Sequence, residues 1–242
     1  MILSYNLLTI KSMPKIRRVD NNKTVANKKI IKQIKAMMKI QFPGLAEKKI
    51  ANLAFEIFSA LKTAYQYQLY VSENETGEIK GFMIFSCFCQ DNFYFLDFLA
   101  AAPGQEGQGI GSGLYEFLRE QAKIKNAVGV FFECLNDDPR TVKDKIELKK
   151  NVNRLKFFEK FGARPIINNR FEAKVDKDDN STLLVFDSLD KPSLLPLGLA
   201  KKIASKIIIK KYSNYCPPDF INMVVNSFAD DPVIIRESKY IN

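Results

Sequence analysis

The chain has 242 residues, 46% of them hydrophobic, and a formal net charge of +10, enough for one full α/β domain and an appendage. It contains no histidine, which removes Ser-His-Asp triads, Cys-His nucleophiles and His-ligated zinc. Cys87, Cys89, Cys134 and Cys216 form no C-x-x-C pair, so they read as buried reduced thiols of a cytosolic protein rather than metal ligands or disulfides.

The first residues, Met1 to Ile10, lack a basic segment and a small-residue cleavage site, and residues 1–13 read as a disordered start. No run of 18 apolar residues occurs, so no transmembrane helix is expected. Lys15 to Val19 reads as a first strand. A helix follows with Ile30, Ile31, Ile34, Met37 and Met38 on one face, broken at Pro43-Gly44. A second helix carries Ile50, Leu53, Ala54, Ile57, Phe58 and Leu61. Three strands then form a meander: Tyr67 to Ser72, Ile79 to Cys89 and Phe93 to Ala101, with turns at Asn74–Gly77 and Gln90–Asn92. A glycine-rich loop opens a helix at about 109–124. Val128 to Cys134 is a buried strand. A helix containing Phe157 and Phe161 is capped by Gly162, and short strands follow at Ala163–Ile167 and Thr182–Phe186. The connection Leu135–Lys150 reads either as a solvated insertion or as a substrate-gating loop.

The glycine loop is the most informative stretch. Gly107, Gly109, Gly111 and Gly113 follow an apolar strand and open a helix with Ile110, Leu114, Phe117 and Leu118 on one face. Such a turn presents unpaired backbone N–H groups and the positive end of a helix dipole, an anion site suited to a phosphate or pyrophosphate. The spacing excludes a P-loop, because Ile110 follows Gly109 and Ser112 follows Gly111 where Lys-Ser/Thr is required. It also excludes the G-x-G-x-x-G fingerprint, which would place glycine at Ser112 or Leu114.

Leu99-Ala100-Ala101-Ala102-Pro103 followed by Glu106-Gly107-Gln108-Gly109-Ile110-Gly111-Ser112 resembles the acetyl-CoA-binding motif of the GNAT superfamily of N-acetyltransferases, with Glu106 where the family carries Gln or Arg. A second stretch, Asn151 to Ala163, is similar to the last helix of that family's cofactor half: Asn151, Phe157, Glu159, Lys160 and Gly162 fit. Arg154 replaces a small residue, and Phe158 stands where many members carry the tyrosine that protonates the leaving thiolate. The resemblance covers roughly residues 14–188. It implies an α/β (α+β) fold: a mixed, mostly antiparallel central sheet flanked by helices, with a C-terminal helical extension. It further implies a cytoplasmic N-acetyltransferase that moves an acyl group from acetyl-CoA to a primary amine in a ternary complex. The acceptor is a small molecule or a protein, with no role for nucleic acid. The alternative is a degenerate acyl-CoA-binding regulatory or interaction module.

On that resemblance, coenzyme A lies between the fourth and fifth strands. Leu99, Ala100 and Ala101 pair with its pantetheine arm, and Gly107, Gln108, Gly109, Ile110, Gly111 and Ser112 hold the pyrophosphate. Asn151 and Phe158 complete the cofactor side. The amine must be neutral to attack, so a base is needed. Asp97, amid Phe95, Leu96 and Phe98, is the first candidate, since desolvation raises a carboxyl toward useful base strength; the alternative is an outward-facing or ion-paired Asp97. Glu133 is second, against an exposed strand-end carboxylate. Tyr115 is the candidate acid in place of Phe158, against a packed helix residue.

Residues 189–242 lie outside the motifs. Leu199, Ala200, Ile203, Ala204, Ile207 and Ile208 share one helical face, and Lys201, Lys202, Ser205, Lys206 and Lys210 the other. This basic amphipathic helix is expected to pack on the domain or associate with a partner; membrane binding is the other reading. Tyr212 to Glu237 looks like the connector linking some bacterial GNAT domains to a histone-deacetylase-like amidohydrolase. Asp137, Asp138, Asp176, Asp178 and Asp179 are candidates for an acidic patch toward a cationic acceptor.

Overall fold

A computed structural model describes residues 15–59, 64–171, 181–212 and 216–241. The expected disordered start at 1–13 and Asp176, Asp178 and Asp179 lie outside these residues. In chain order the elements are β1 (Lys15–Arg18), α1 (Val25–Gln41), α2 (Glu47–Ala51), α3 (Leu53–Phe58), β2 (Gln66–Glu73), β3 (Ile79–Phe88), β4 (Phe93–Ala101), α4 (Ile110–Ile124), β5 (Val130–Leu135), α5 (Lys145–Glu159), β6 (Arg164–Pro165), β7 (Thr182–Asp187), α6 (Leu197–Tyr212) and α7 (Pro218–Asn226). The strands form a seven-stranded sheet in the order β1-β2-β3-β4-β5-β7-β6. The β4–β5 pair is parallel, and β1–β2, β5–β7 and β6–β7 are antiparallel. This is the mixed, mostly antiparallel sheet with flanking helices that the resemblance implied.

Contacts divide the chain into two compact units, the first drawn from 1–62, 67–84 and 98–117 and the second from 63–66, 85–97 and 118–242.

In the first unit α1 begins where the Thr24 side chain accepts a hydrogen bond from Asn27 N at 3.1 Å. Its apolar stripe packs Ile34 and Met38 into a core with Val71, Phe82 and Ile84. The single helix expected after Pro43 is two short ones, α2 and α3, parted at Asn52, whose side chain disfavours a helix interior.

The second unit is built on aromatic contacts between strands: Phe88 stacks on Phe93 at 4.3 Å and Phe131 on Phe186 at 4.9 Å. Ala200, Ile203, Ala204 and Ile207 of α6 close the same core, joined by Val224 of α7. The apolar face of α6 is therefore core. That corrects the membrane reading, and association through this face would require unpacking the unit. Arg119 and Asp187 make a buried ion pair at 2.9 Å, and Asp187 also accepts the Leu189 N–H at 2.8 Å.

Two further expectations change here. The connection expected over 135–150 shrinks to nine residues, because Asp144 accepts from Glu147 N at 2.7 Å and starts α5 at Lys145. It is also not solvated along its length: Asn136 and Asp137 are buried. Asp137 is held by Arg236 at 2.9 Å, Lys239 at 3.2 Å and the Tyr240 hydroxyl, so it is not available for a surface acidic patch. The strand expected at 163–167 is cut to Arg164–Pro165. Beyond it the C-terminal segment takes over the edge: Arg236 N donates to Pro165 O and Ile167 N to Ile234 O, both at 2.9 Å.

Candidate functional site

In the first unit, β4 runs into the glycine loop. Gly107 and Gly109 adopt φ of +75° and +82°, left-handed conformations that a Cβ would strain. Gly111 and Gly113 instead lie in the first turn of α4. The first backbone bond of that helix runs from Gly113 N to Gly109 O at 2.9 Å. The N–H groups of Gly109, Ile110, Gly111 and Ser112 therefore precede the intrahelical ladder, at the positive end of the helix dipole. Ile110 is buried and anchors the turn. Its Cγ2 would lie only 2.6 Å from a Cβ built on Gly81, and Ala100 O only 2.8 Å. Strand β3 thus needs glycine where loop and strand converge.

The loop is braced from two sides. Gln108 Nε2 reaches back to Gly104 O at 3.4 Å. Gln41, the last residue of α1, donates to Ala101 O at 3.3 Å and to Glu106 Oε1 at 3.2 Å. The backbone amide of Glu106 itself, then Gln41, hold its carboxyl below the usual range. Glu106 is therefore an ionised acid tied to α1 rather than a free side chain. Leu99 is half-buried and Ala100 buried at the strand end.

In the second unit, the parallel pairing of β4 with β5 runs from Tyr94↔Val130 to Leu96↔Phe132. The next residues on the two strands, just beyond that ladder, are Asp97 and Glu133. Neither is a lone carboxylate among rings. Asp97 accepts from Ser86 Oγ at 2.8 Å and forms an ion pair with Lys210, their side chains 6% and 2% exposed. Glu133 pairs with Lys211 and accepts from the Tyr212 hydroxyl at 3.0 Å. Of the alternatives left by the sequence, Asp97 is the ion-paired one, and Glu133 is buried rather than an exposed strand end. Burial opposes the charge of Lys211, but the Glu133 carboxylate overrides it and holds the ammonium above the usual lysine range. Burial, then Glu133, pushes the Tyr212 phenol up.

The remaining candidates are packed. Tyr115 has no exposed surface. It is the packed helix residue of the alternative reading. Phe158 packs on Phe132 with ring centroids 4.2 Å apart. Asn151 donates its amide to Asn136 O at 2.9 Å, binding α5 to the preceding loop. It also lines a cavity of about 250 Å³ with Leu135, Asn136, Val142, Glu147 and Ser181. Among the described residues no cluster of His, Cys, Asp and Glu could hold a metal ion, and no helix is long and apolar enough to cross a membrane.

Sequence reasoning missed Gln41, Ser86, Lys210, Lys211 and Tyr212. The signal for the lysines was present, since Lys202, Lys206 and Lys210 recur every fourth residue, but that spacing also describes a solvated face.

A family model described as the acetyltransferase (GNAT) family matches residues 35–163. No curated protein matches. Among solved structures, an aminoglycoside 6'-N-acetyltransferase complexed with coenzyme A superposes with a TM-score of 0.55 at 14% identity, covering 74% of this chain and 98% of that one. The catalytic domain of the Tetrahymena GCN5 histone acetyltransferase, in complex with coenzyme A, gives 0.51 at 16% identity, over 76% and 98%. An aminoglycoside 6'-N-acetyltransferase from Enterococcus faecium gives 0.53 at 12%, over 74% and 98%. At these identities the likeness is one of fold.

Proposed function

Because the chain belongs to the GNAT family of acetyltransferases, we propose that it is an acetyl-CoA-dependent N-acetyltransferase acting on a primary amine by direct attack in a ternary complex. Acetyl-CoA, when bound, supplies the acetyl group and a thiolate leaving group. The observation that carries the reading is the row of N–H groups from Gly109 to Ser112 at the start of α4, behind two left-handed glycines. That row fits a pyrophosphate without any cationic side chain, which accommodates Glu106 in place of the family's Gln or Arg. Leu99, Ala100 and Ala101 would line the pantetheine arm, with Gln41 giving up Ala101 O.

Asp97 and Glu133 are the proton acceptors in this reading. Each already binds an alkylammonium, the protonated form in which an amine arrives at neutral pH. Taking that proton leaves a neutral nitrogen that forms the new C–N bond as the C–S bond breaks. Phe158 offers no hydroxyl and Tyr115 is enclosed, so the thiolate departs without a proton from either. General acid help contributes about 10²–10⁴-fold, so its loss slows the chemistry rather than abolishing it.

A second reading, an acyl-CoA-binding module with little turnover, is favoured by the ion pairs that occupy both carboxylates. Titration calorimetry with acetyl-CoA and a thiol-release assay over an amine panel separate the two. Binding with turnover lost in Asp97→Ala supports the enzyme. Binding without turnover supports the module, and no binding at millimolar acetyl-CoA defeats both.

A further inference from the structure

The two carboxylates proposed to receive the acceptor are filled by the chain itself. Lys210 and Lys211, neighbours in the last turn of α6, place one ammonium on Asp97 and one on Glu133. The surroundings suit this functional group in a second, independent way. The Lys210 ammonium lies 4.8 Å from the Phe95 ring centroid and 5.3 Å from that of Tyr65. Lys211 lies 5.7 Å from the same Phe95 ring. Acids backed by aromatic faces are the chemistry that recognises alkylammonium groups. We propose that the last turn of α6 is an internal mimic of the acceptor amine, holding Asp97 and Glu133 closed until an outside ammonium displaces it. This rests on the acetyltransferase reading for the meaning of the two acids, and on the geometry above for the occupancy.

The rest of α6 explains how such a turn can open without unfolding the unit. Ile203, Ala204 and Ile207 are fully enclosed in the core. One turn before the plug, Lys206 is fixed on Asp91 at 2.9 Å, and Lys202 joins it at 2.8 Å. Only Ile209 to Tyr212, beginning with a half-exposed Ile209, must lift. Helix ends open locally at far lower cost than the core they flank. Electrostatics make the opening selective. A carboxylate buried to this degree is stable only while paired, so one ammonium leaves readily only when another takes its place. An uncharged or anionic competitor gains nothing. Lys211 is a poor acceptor itself, because it is held in its charged form and only a neutral nitrogen attacks a thioester.

The test uses the full chain with Lys210→Met and Lys211→Met, singly and together, with Lys202→Met as a control on the same helix. The readouts are thiol release from acetyl-CoA, with Nα-acetyl-lysine amide as the probe amine, and acetyl-CoA titration. Removing an occupant that leaves about a tenth of the sites competent raises kcat/KM for the probe about tenfold. The double variant should show that rise, and Lys202→Met should not. A double variant that binds acetyl-CoA with no gain overturns the proposal, as does acetylation of Lys210 or Lys211 found by peptide mass spectrometry. Where a variant fails to fold or the probe is not turned over, hydrogen exchange on the wild-type chain decides. Faster exchange at the amides of 209–212 with the probe amine, and not with its uncharged diacetyl analogue, upholds it. Unchanged exchange overturns it. Failure to bind acetyl-CoA refutes the acetyltransferase reading alone, because the exchange experiment contains no cofactor.

Discussion

Replacing Gly81 with alanine tests whether the glycine loop is held by contact with β3. The added methyl would sit 2.6 Å from Ile110 Cγ2, 2.8 Å from Ala100 O and 3.3 Å from Ala101 Cα. Ile110 opens α4 and Ala100 is the penultimate residue of β4, so the clash falls on both walls of the loop. The side chain can rotate, but the backbone carbonyl can yield only if β4 shifts. Overpacking of this kind costs about 1–3 kcal/mol. Against it stands the gain of about 0.4–1 kcal/mol from restricting the unfolded chain, so the clash wins by roughly 1–2 kcal/mol. At about 2–4 °C per kcal/mol, Tm should fall by about 2–8 °C in a thermal melt, and acetyl-CoA affinity should weaken in calorimetry as Ile110 moves. Adding Ile110→Ala should relieve the 2.6 Å contact and not the carbonyl. Gly44→Ala, with nothing within 4 Å of its Cβ, is the matched control. A Gly81→Ala chain with the melting temperature and affinity of the wild type would refute the reasoning.

Arg119→Met should destabilise the chain by about 3–5 kcal/mol, the cost of leaving a buried partner charge uncompensated, because Asp187 is 1% exposed; a urea midpoint within error of wild type would contradict this. For Asp137, burial raises the carboxyl, but Arg236, Tyr240 and Lys239 together hold it below the usual range. A lowered folded pKa contributes stability above the unfolded value near about 4. That stability is lost as pH falls toward the folded pKa. Amides of the C-terminal segment, Arg236 above all, should therefore lose exchange protection on acidification below about pH 4, and Asp137→Asn should lack that step. Burial pushes the Cys134 thiol up to about 12, and burial followed by Cys89 does the same to Cys87. Iodoacetamide at about pH 8 should accordingly label exposed Cys89 first; prompt labelling of Cys134 in the native chain would show that its burial is wrong.

The fold was legible where sequence and local physics agree. A continuous apolar run placed β4, a 3.6-residue period placed α4, and spacing alone separated the glycine loop from nucleotide-triphosphate and dinucleotide loops. What was not legible depends on distant partners. Asp97 reads as a desolvated acid because Phe95, Leu96 and Phe98 are its neighbours in sequence, whereas its actual partner, Lys210, lies 113 residues away. Glu159 matches a motif position, yet its carboxylate accepts the backbone N–H groups of Lys239 and Tyr240 at 3.0 and 2.7 Å, a role that no local pattern announces. The start of α5 was missed for a different reason: Asp144 followed by Glu147 is a capping signature hidden among lysines that look like loop.

The backbone hydrogen bonds that join Ile234 and Arg236 to Ile167 and Pro165 bear on how this protein must be handled. β6 is the last strand in the sheet order, and a bare sheet edge is a template for pairing with other chains. The segment 233–236 covers that template, and Pro165, having no N–H to offer, blunts it further. A variant shortened before Val233 would keep every residue of the glycine loop and both carboxylates. It would also expose fresh strand edge to its neighbours in solution. Its failure in an activity assay would then report precipitation rather than chemistry, and any boundary drawn to shorten the chain should be placed after this clasp.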